Sequence, residues 1–171
     1  ANIYLHQFDL WWWEKYGKTH PEWFALNGDG VRGPIGDADR VKMCVSNQSL
    51  VEKKVDIYNK KEDRNYVERA IDCTENDGGG GGMAEYCHCD ACVALDHLNP
   101  GEKFGASLTD RYVNFWNRVA ELGRKTDPKL VVTGYAYADM ITPPRKERLS
   151  DAIVIEVVSA FNDEWPETTS I

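Results

Sequence analysis

The chain has 171 residues, a net charge of -8 and 11% aromatic residues, six of them Trp. That length suits one ordinary domain with a real core. The acidic balance argues against nucleic acid, whose phosphates need a basic patch, and no apolar run approaches the ~18 residues of a membrane span.

In chain order, residues 2–13 are apolar and aromatic and end in Trp11-Trp12-Trp13. They are expected to form a strand and the loop leaving it. Alternation along an extended chain would put Trp11 and Trp13 on one face. Flat rings suit the C–H faces of sugars and equally suit a plain core. Residues 14–45 carry Gly17, Pro21, Gly28, Gly30, Gly33, Pro34 and Gly36, which predicts a long loop with a short hairpin around Asn27-Gly28. Val41 to Val45 is expected as a short strand. Ser46 or Asn47 can cap the helix behind it, where Leu50, Val51, Val55 and Tyr58 recur at helical spacing.

Residues 66–73 read as a strand running into Thr74-Glu75-Asn76-Asp77, and the five glycines Gly78 to Gly82 end it. No Lys-Ser/Thr follows those glycines, so they are not a phosphate loop. Ser107 and Asp110 form a cap-like S-x-x-D signal before a helix at about 107–125. Its stripe is Leu108, Tyr112, Phe115, Trp116, Val119 and Leu122. Strands are expected at 129–137 and 152–158, with Pro143-Pro144 between them. Near-continuous apolar strands alternating with helices predict a parallel α/β sheet.

Three of the five cysteines crowd into Cys87-His88-Cys89-Asp90-Ala91-Cys92. A C-x-C-x-x-C loop can place three thiolates on one ion, and Cys44 or His88 can complete a tetrahedral zinc site. The alternatives are disulfides, which an oxidising compartment favours, or free thiols. Each reading makes the loop a local staple rather than a seat of chemistry. Cys73, on a strand, reads as a small core residue.

Three acids stand where parallel strands end, the usual place for catalytic groups in parallel barrels. Asp77 precedes the glycines, Asp139 follows Tyr135-Ala136-Tyr137, and Glu156 lies in the last strand. Each is equally a solvated loop acid or a cap on its own showing. Glu75 would share the strand face of Asp77 if the strand reached that far.

Six segments then add up. They are His20 to Leu26, Met43 to Asn47, Asn76 to Gly80, Cys87 to Cys92, Asp110 to Phe115, and Tyr135-Ala136-Tyr137 with Pro143-Pro144. In order and spacing, over about residues 8–165, they resemble the family first catalogued as domain of unknown function 4838. Its characterised members are secreted endo-β-N-acetylglucosaminidases acting on N-glycans. The resemblance implies a (β/α) TIM-type barrel with long βα loops and a retaining mechanism in which the substrate's own acetamide attacks the anomeric carbon. One acid polarises that acetamide and another protonates the leaving oxygen.

Asp77, within the matching Asn-Asp-Gly-Gly motif, is carried over as one catalytic carboxylate. Glu156 is the candidate for the other. Asn76, Trp11, Trp13, Tyr135, Tyr137 and Asp139 are candidates for substrate contacts, and Cys44, Cys87, Cys89 and Cys92 for a structural zinc. A complete barrel takes about 250 residues. The chain is therefore expected to be a partial barrel over 1–171, cut from a longer protein and working at the cell surface, in the periplasm or outside the cell. The expected function is a glycoside hydrolase-like domain with a glycan or glycoprotein substrate and no cofactor for catalysis. The alternative is a non-catalytic carbohydrate-binding or surface-assembly protein that keeps the barrel.

Overall fold

The computed structural model describes residues 10–37, 40–62, 66–78 and 80–158. Four helices are α1 (Leu10–Tyr16), α2 (Gln48–Asn59), α3 (Asp90–Ala94) and α4 (Thr109–Gly123). Three strands are β1 (Ala70–Asp72), β2 (Val131–Ala136) and β3 (Ile153–Val157). The strands form one parallel sheet in the order β1-β2-β3, with Ala70 opposite Val131, Val132 opposite Ile153 and Tyr135 opposite Glu156. The architecture is therefore mixed α/β with a parallel sheet. Among the described residues β1 and β3 are its two edges, and β2 is central.

Parallel neighbours need a crossover, and α4 supplies the one from β1 to β2. Its apolar stripe buries Tyr112, Phe115, Trp116 and Val119. Trp116 lies so close to β2 that a Cβ on Gly134 would sit 2.4 Å from its ring. Only glycine permits that approach. The Trp116 indole N–H donates to the Cys73 carbonyl at 3.1 Å. Ile71, Cys73, Val132 and Gly134 are buried. By strand alternation the opposite face carries Asp72, Thr133, Tyr135 and Glu156. α2 packs beside α4, and the Asn47 side chain caps it by accepting the Leu50 N–H at 3.1 Å.

The predicted hairpin is present: Leu26 bridges Arg32, and the Asn27 side chain accepts the N–H groups of Asp29 and Val31. Three other expectations are corrected. The strand expected over residues 2–13 is, in its described part, the helix α1. Trp12 and Tyr16, four apart, share a face and pack on Trp23 with ring centroids 6.2 and 5.1 Å away. A short apolar run fits either period, and tertiary packing decided this one.

Residues 41–45 are buried but make only one antiparallel bridge, Phe24 to Met43. The S-x-x-D cap is absent, since Leu108 is the N-cap of α4 and makes no side-chain bond. Asp110 instead accepts the N–H groups of Arg145, Lys146 and Glu147, each at 2.8 Å. Burial opposes its charge, but those donors outweigh burial and hold its carboxyl below the usual range.

No helix among the described residues is long and apolar enough to cross a membrane.

Candidate active site and metal centre

The three strands end side by side, and the segments leaving β1 and β2 build a cluster of acids and tyrosines. Tyr135 is its hub. Its hydroxyl is made harder to ionise first by burial and then by the charges of Glu156, Asp72 and Asp77. Tyr137 is pushed the same way, by burial and then by Asp77 and Asp139. Asp77 is half-buried, whereas Glu156, facing Tyr135 across the β2–β3 pairing, is exposed. β1, which leads into Asp77, is an edge of the described sheet. The structure thus brings Asp77, Glu156, Tyr135, Tyr137 and Asp139 to one end of the sheet.

Other candidates separate from that group. Asn76 is only 3% exposed, and its amide donates inward to the Val41 carbonyl at 3.0 Å, so it is a structural residue rather than a surface for ligand. Trp13 packs edge-on against Phe24 at 4.9 Å and lies over Gly33, where a Cβ would meet its ring at 2.6 Å. Helical geometry, rather than extended alternation, sends it there. The Trp11 side chain lies outside the described residues.

Beneath the strand ends runs a buried polar layer that sequence reading left aside. Glu75, 6% exposed, accepts the Tyr112 hydroxyl at 2.8 Å and the Asn76 N–H at 3.1 Å. Burial raises its pKa against the pull of Lys42 and of its hydrogen-bond donors. The Lys42 ammonium donates to the Asn76 carbonyl and sits 4.9 Å from the centre of the Tyr86 ring. Tyr86 is bonded in turn to Asp139, and burial followed by that acid's charge drives its pKa up. Only Glu75 had a sequence signal, its two-residue spacing from Asp77.

The second centre gathers Cys44, Cys87, Cys89 and Cys92, whose sulfurs all lie within 4.8 Å of one another. Cys44 comes from the 41–45 segment, Cys89 is the N-cap of α3 and Cys92 lies within it. Cys44 is 3.7 Å from Cys89 and 3.9 Å from Cys92. A disulfide needs about 2.05 Å, so the disulfide alternative is not realised and none of the five cysteines is paired. Four sulfurs about 2.3 Å from a central tetrahedral ion stand about 3.8 Å apart. The spacing therefore fits a single metal ion.

The surroundings suit concentrated negative charge. The Leu26 N–H points at the Cys87 sulfur at 3.3 Å. Arg32 and Arg118 both feel the sulfur charges. Hydrogen bonds from Cys87 and Cys92 hold the Cys44 thiol far below its usual range. His88 is excluded as a ligand by its placement, stacked 3.9 Å from Phe104 with Nε2 against the Met83 carbonyl. Cys73 is buried in the core outside the cluster.

The spaced motifs and this α/β frame converge with a profile match over residues 2–168 to the family described as domain of unknown function (DUF4838). The chain belongs to DUF4838. No curated protein matches it. In this DUF4838 member, the Asn-Asp-Gly segment follows β1 and brings Asp77 near Tyr135, and the Cys87 to Cys92 segment supplies three of the four clustered sulfurs.

Proposed function

We propose that this chain is part of a (β/α)-barrel glycoside hydrolase. It would act on glycans or glycoproteins outside the cell, in the periplasm or at the cell surface, as an endo-β-N-acetylglucosaminidase. The observation that carries this reading is the convergence of Asp77 and Glu156 on Tyr135 at one end of a parallel sheet. Two carboxyl groups flanking one position are what glycosidic cleavage uses, and the carboxyl ends of parallel strands are where barrels keep such groups.

On this reading Asp77 accepts the acetamide N–H of a bound N-acetylglucosamine. The acetamide oxygen attacks the anomeric carbon as the glycosidic C–O bond breaks, and Glu156 gives its proton to the leaving oxygen. Water then attacks the same carbon, returns a proton to Glu156 and restores the acetamide, so the anomer is retained. A hydroxyl of Tyr135 or Tyr137 is available to hydrogen-bond the acetamide.

The four-cysteine centre is read as a structural zinc site. Four thiolates fill a tetrahedral shell and leave no open position for substrate, which separates such a site from a catalytic one.

The test is oligosaccharide release from an N-glycosylated protein by the full-length protein, with the product anomer followed by NMR. Release with retention supports the reading. Release with inversion overturns the mechanism. Glycan binding without release would assign a carbohydrate-binding or surface-assembly role instead.

A further inference from the structure

Burying a carboxylate is costly unless it is well paired, and an apolar side chain of the same volume is often the more stable choice. Glu75 nevertheless lies buried two residues before Asp77 and takes its partners from separate parts of the chain. Tyr112 reaches it from α4 at 2.8 Å. The 41–45 segment brings Lys42 close and bonds to Glu75 through the Met43 backbone.

These contacts converge on residue 76. Its N–H is held by Glu75 at 3.1 Å, its carbonyl by the Lys42 ammonium, and its side-chain amide by the Val41 carbonyl at 3.0 Å. Residue 76, the one before Asp77, is therefore held at its N–H, its carbonyl and its side-chain amide. The same layer continues sideways, where the Tyr86 ring meets Tyr112 edge-on at 6.5 Å and its hydroxyl reaches Asp139.

We propose that Glu75, held by the Tyr112 hydroxyl, is the positioning residue of the strand-end site, fixing together with Lys42 the residue 76 backbone that presents Asp77. The assignment rests on the reading of Asp77 as the acetamide-facing carboxylate. Glu75 itself is enclosed and touches no substrate. It acts through residue 76, and its burial leaves little slack for that residue to move. A displacement of about 1 Å at a reacting group can cost up to ~10²-fold in rate, which is reason enough to retain a costly buried acid.

The experiment compares Tyr112→Phe and Glu75→Gln with the remote control Tyr58→Phe in the full-length protein. Three quantities are read: the 13C carboxyl signal of Asp77, assigned by its loss in Asp77→Asn; the amide exchange of Asn76 and Asp77; and kcat separately from KM for glycan release. Positioning predicts a shifted Asp77 signal, exchange at residues 76 and 77 faster by about 10-fold, and kcat lower by about 10-fold or more with KM nearly unchanged. Tyr58→Phe should leave all three in place.

If Glu75→Gln does not fold, Tyr112→Phe, which removes a single oxygen, decides the matter. Folded variants with an unmoved Asp77 signal and normal exchange overturn the proposal, whatever their stability. If wild type releases no glycan while the signal and exchange still move, positioning stands and the glycosidase reading falls.

Discussion

The two centres use the same raw material, polar side chains drawn from distant segments, to opposite ends. At the cysteine centre four like atoms lie within 4.8 Å and only Cys89 among them is not buried. At the strand ends Asp77 and Glu156 lie around Tyr135, and the exposure rises from Asp77 to Glu156. A closed set of ligands holds structure, whereas acids at an exposed sheet end are open to solvent. The two meet in one short segment. Lys42 grips the strand end through Asn76, and two residues on Cys44 joins the sulfurs. Ordering the cysteine centre therefore also orders the floor of the other site.

The largest expected effect comes from opening the closed set. Structural zinc contributes on the order of 10 kcal/mol in small domains. Cys44→Ser should lose the metal, measured by elemental analysis, and lower the melting temperature by about 10 °C or more. Its loss should also loosen the strand end, seen as faster amide exchange at Asn76. Full metal content with an unchanged melting temperature would show that the sulfurs do no holding.

Next is the ion pair joining the loop after α3 to α4. Arg111 and Asp96 are 1% and 0% exposed, bound by two contacts of 2.6 and 2.5 Å, and Arg111 also donates to the Cys87 carbonyl at 2.8 Å. Asp96→Asn leaves a buried guanidinium underpaired and should cost ~3–5 kcal/mol in urea denaturation. A cost under ~1 kcal/mol would place that pair outside the support of the cysteine loop.

A smaller effect is expected where α4 meets the sheet. Gly134→Ala forces Trp116 away from β2 and should cost ~1–3 kcal/mol with a shift in Trp fluorescence. Metal content should not change.

The smallest effect is a pH slope. Glu75 has a folded pKa above its unfolded value, because burial disfavours its charge. The unfolded chain therefore ionises first. The contribution of Glu75 is fully present below the ordinary glutamate range and is lost as pH rises toward the raised value. Glu75→Gln should abolish that part of the slope in denaturation measured across mildly acidic pH. An unchanged slope would assign it to another group.

Much of the frame was legible because its causes are local. Asn47 reads as a cap from its own chemistry, and the α4 stripe and the β2 and β3 strands follow from period and apolar content. Cys44 and the C-x-C-x-x-C run were readable as one ligand set because sulfur spacing carries its own geometry. The residues that were missed depend on distant partners. Trp12 belongs to a helix because Tyr16 and Trp23 receive it, and Asp110 serves the 145–147 backbone rather than its own helix. Asn76 looked like a ligand contact but points inward, since the Val41 carbonyl takes its amide. Lys42 and Tyr86 carry no motif, and Tyr112 read only as part of the α4 stripe and its segment. They matter through contacts across the fold.

On the proposed reading, charge at the open site does chemistry while the closed site holds the fold. Asp77→Asn keeps the shape and removes the charge. The full-length variant should retain its metal and its melting temperature yet release glycan ~10²-fold or more slowly, as expected for lost transition-state electrostatics. Release at the wild-type rate by a folded, metal-loaded Asp77→Asn protein would contradict the account.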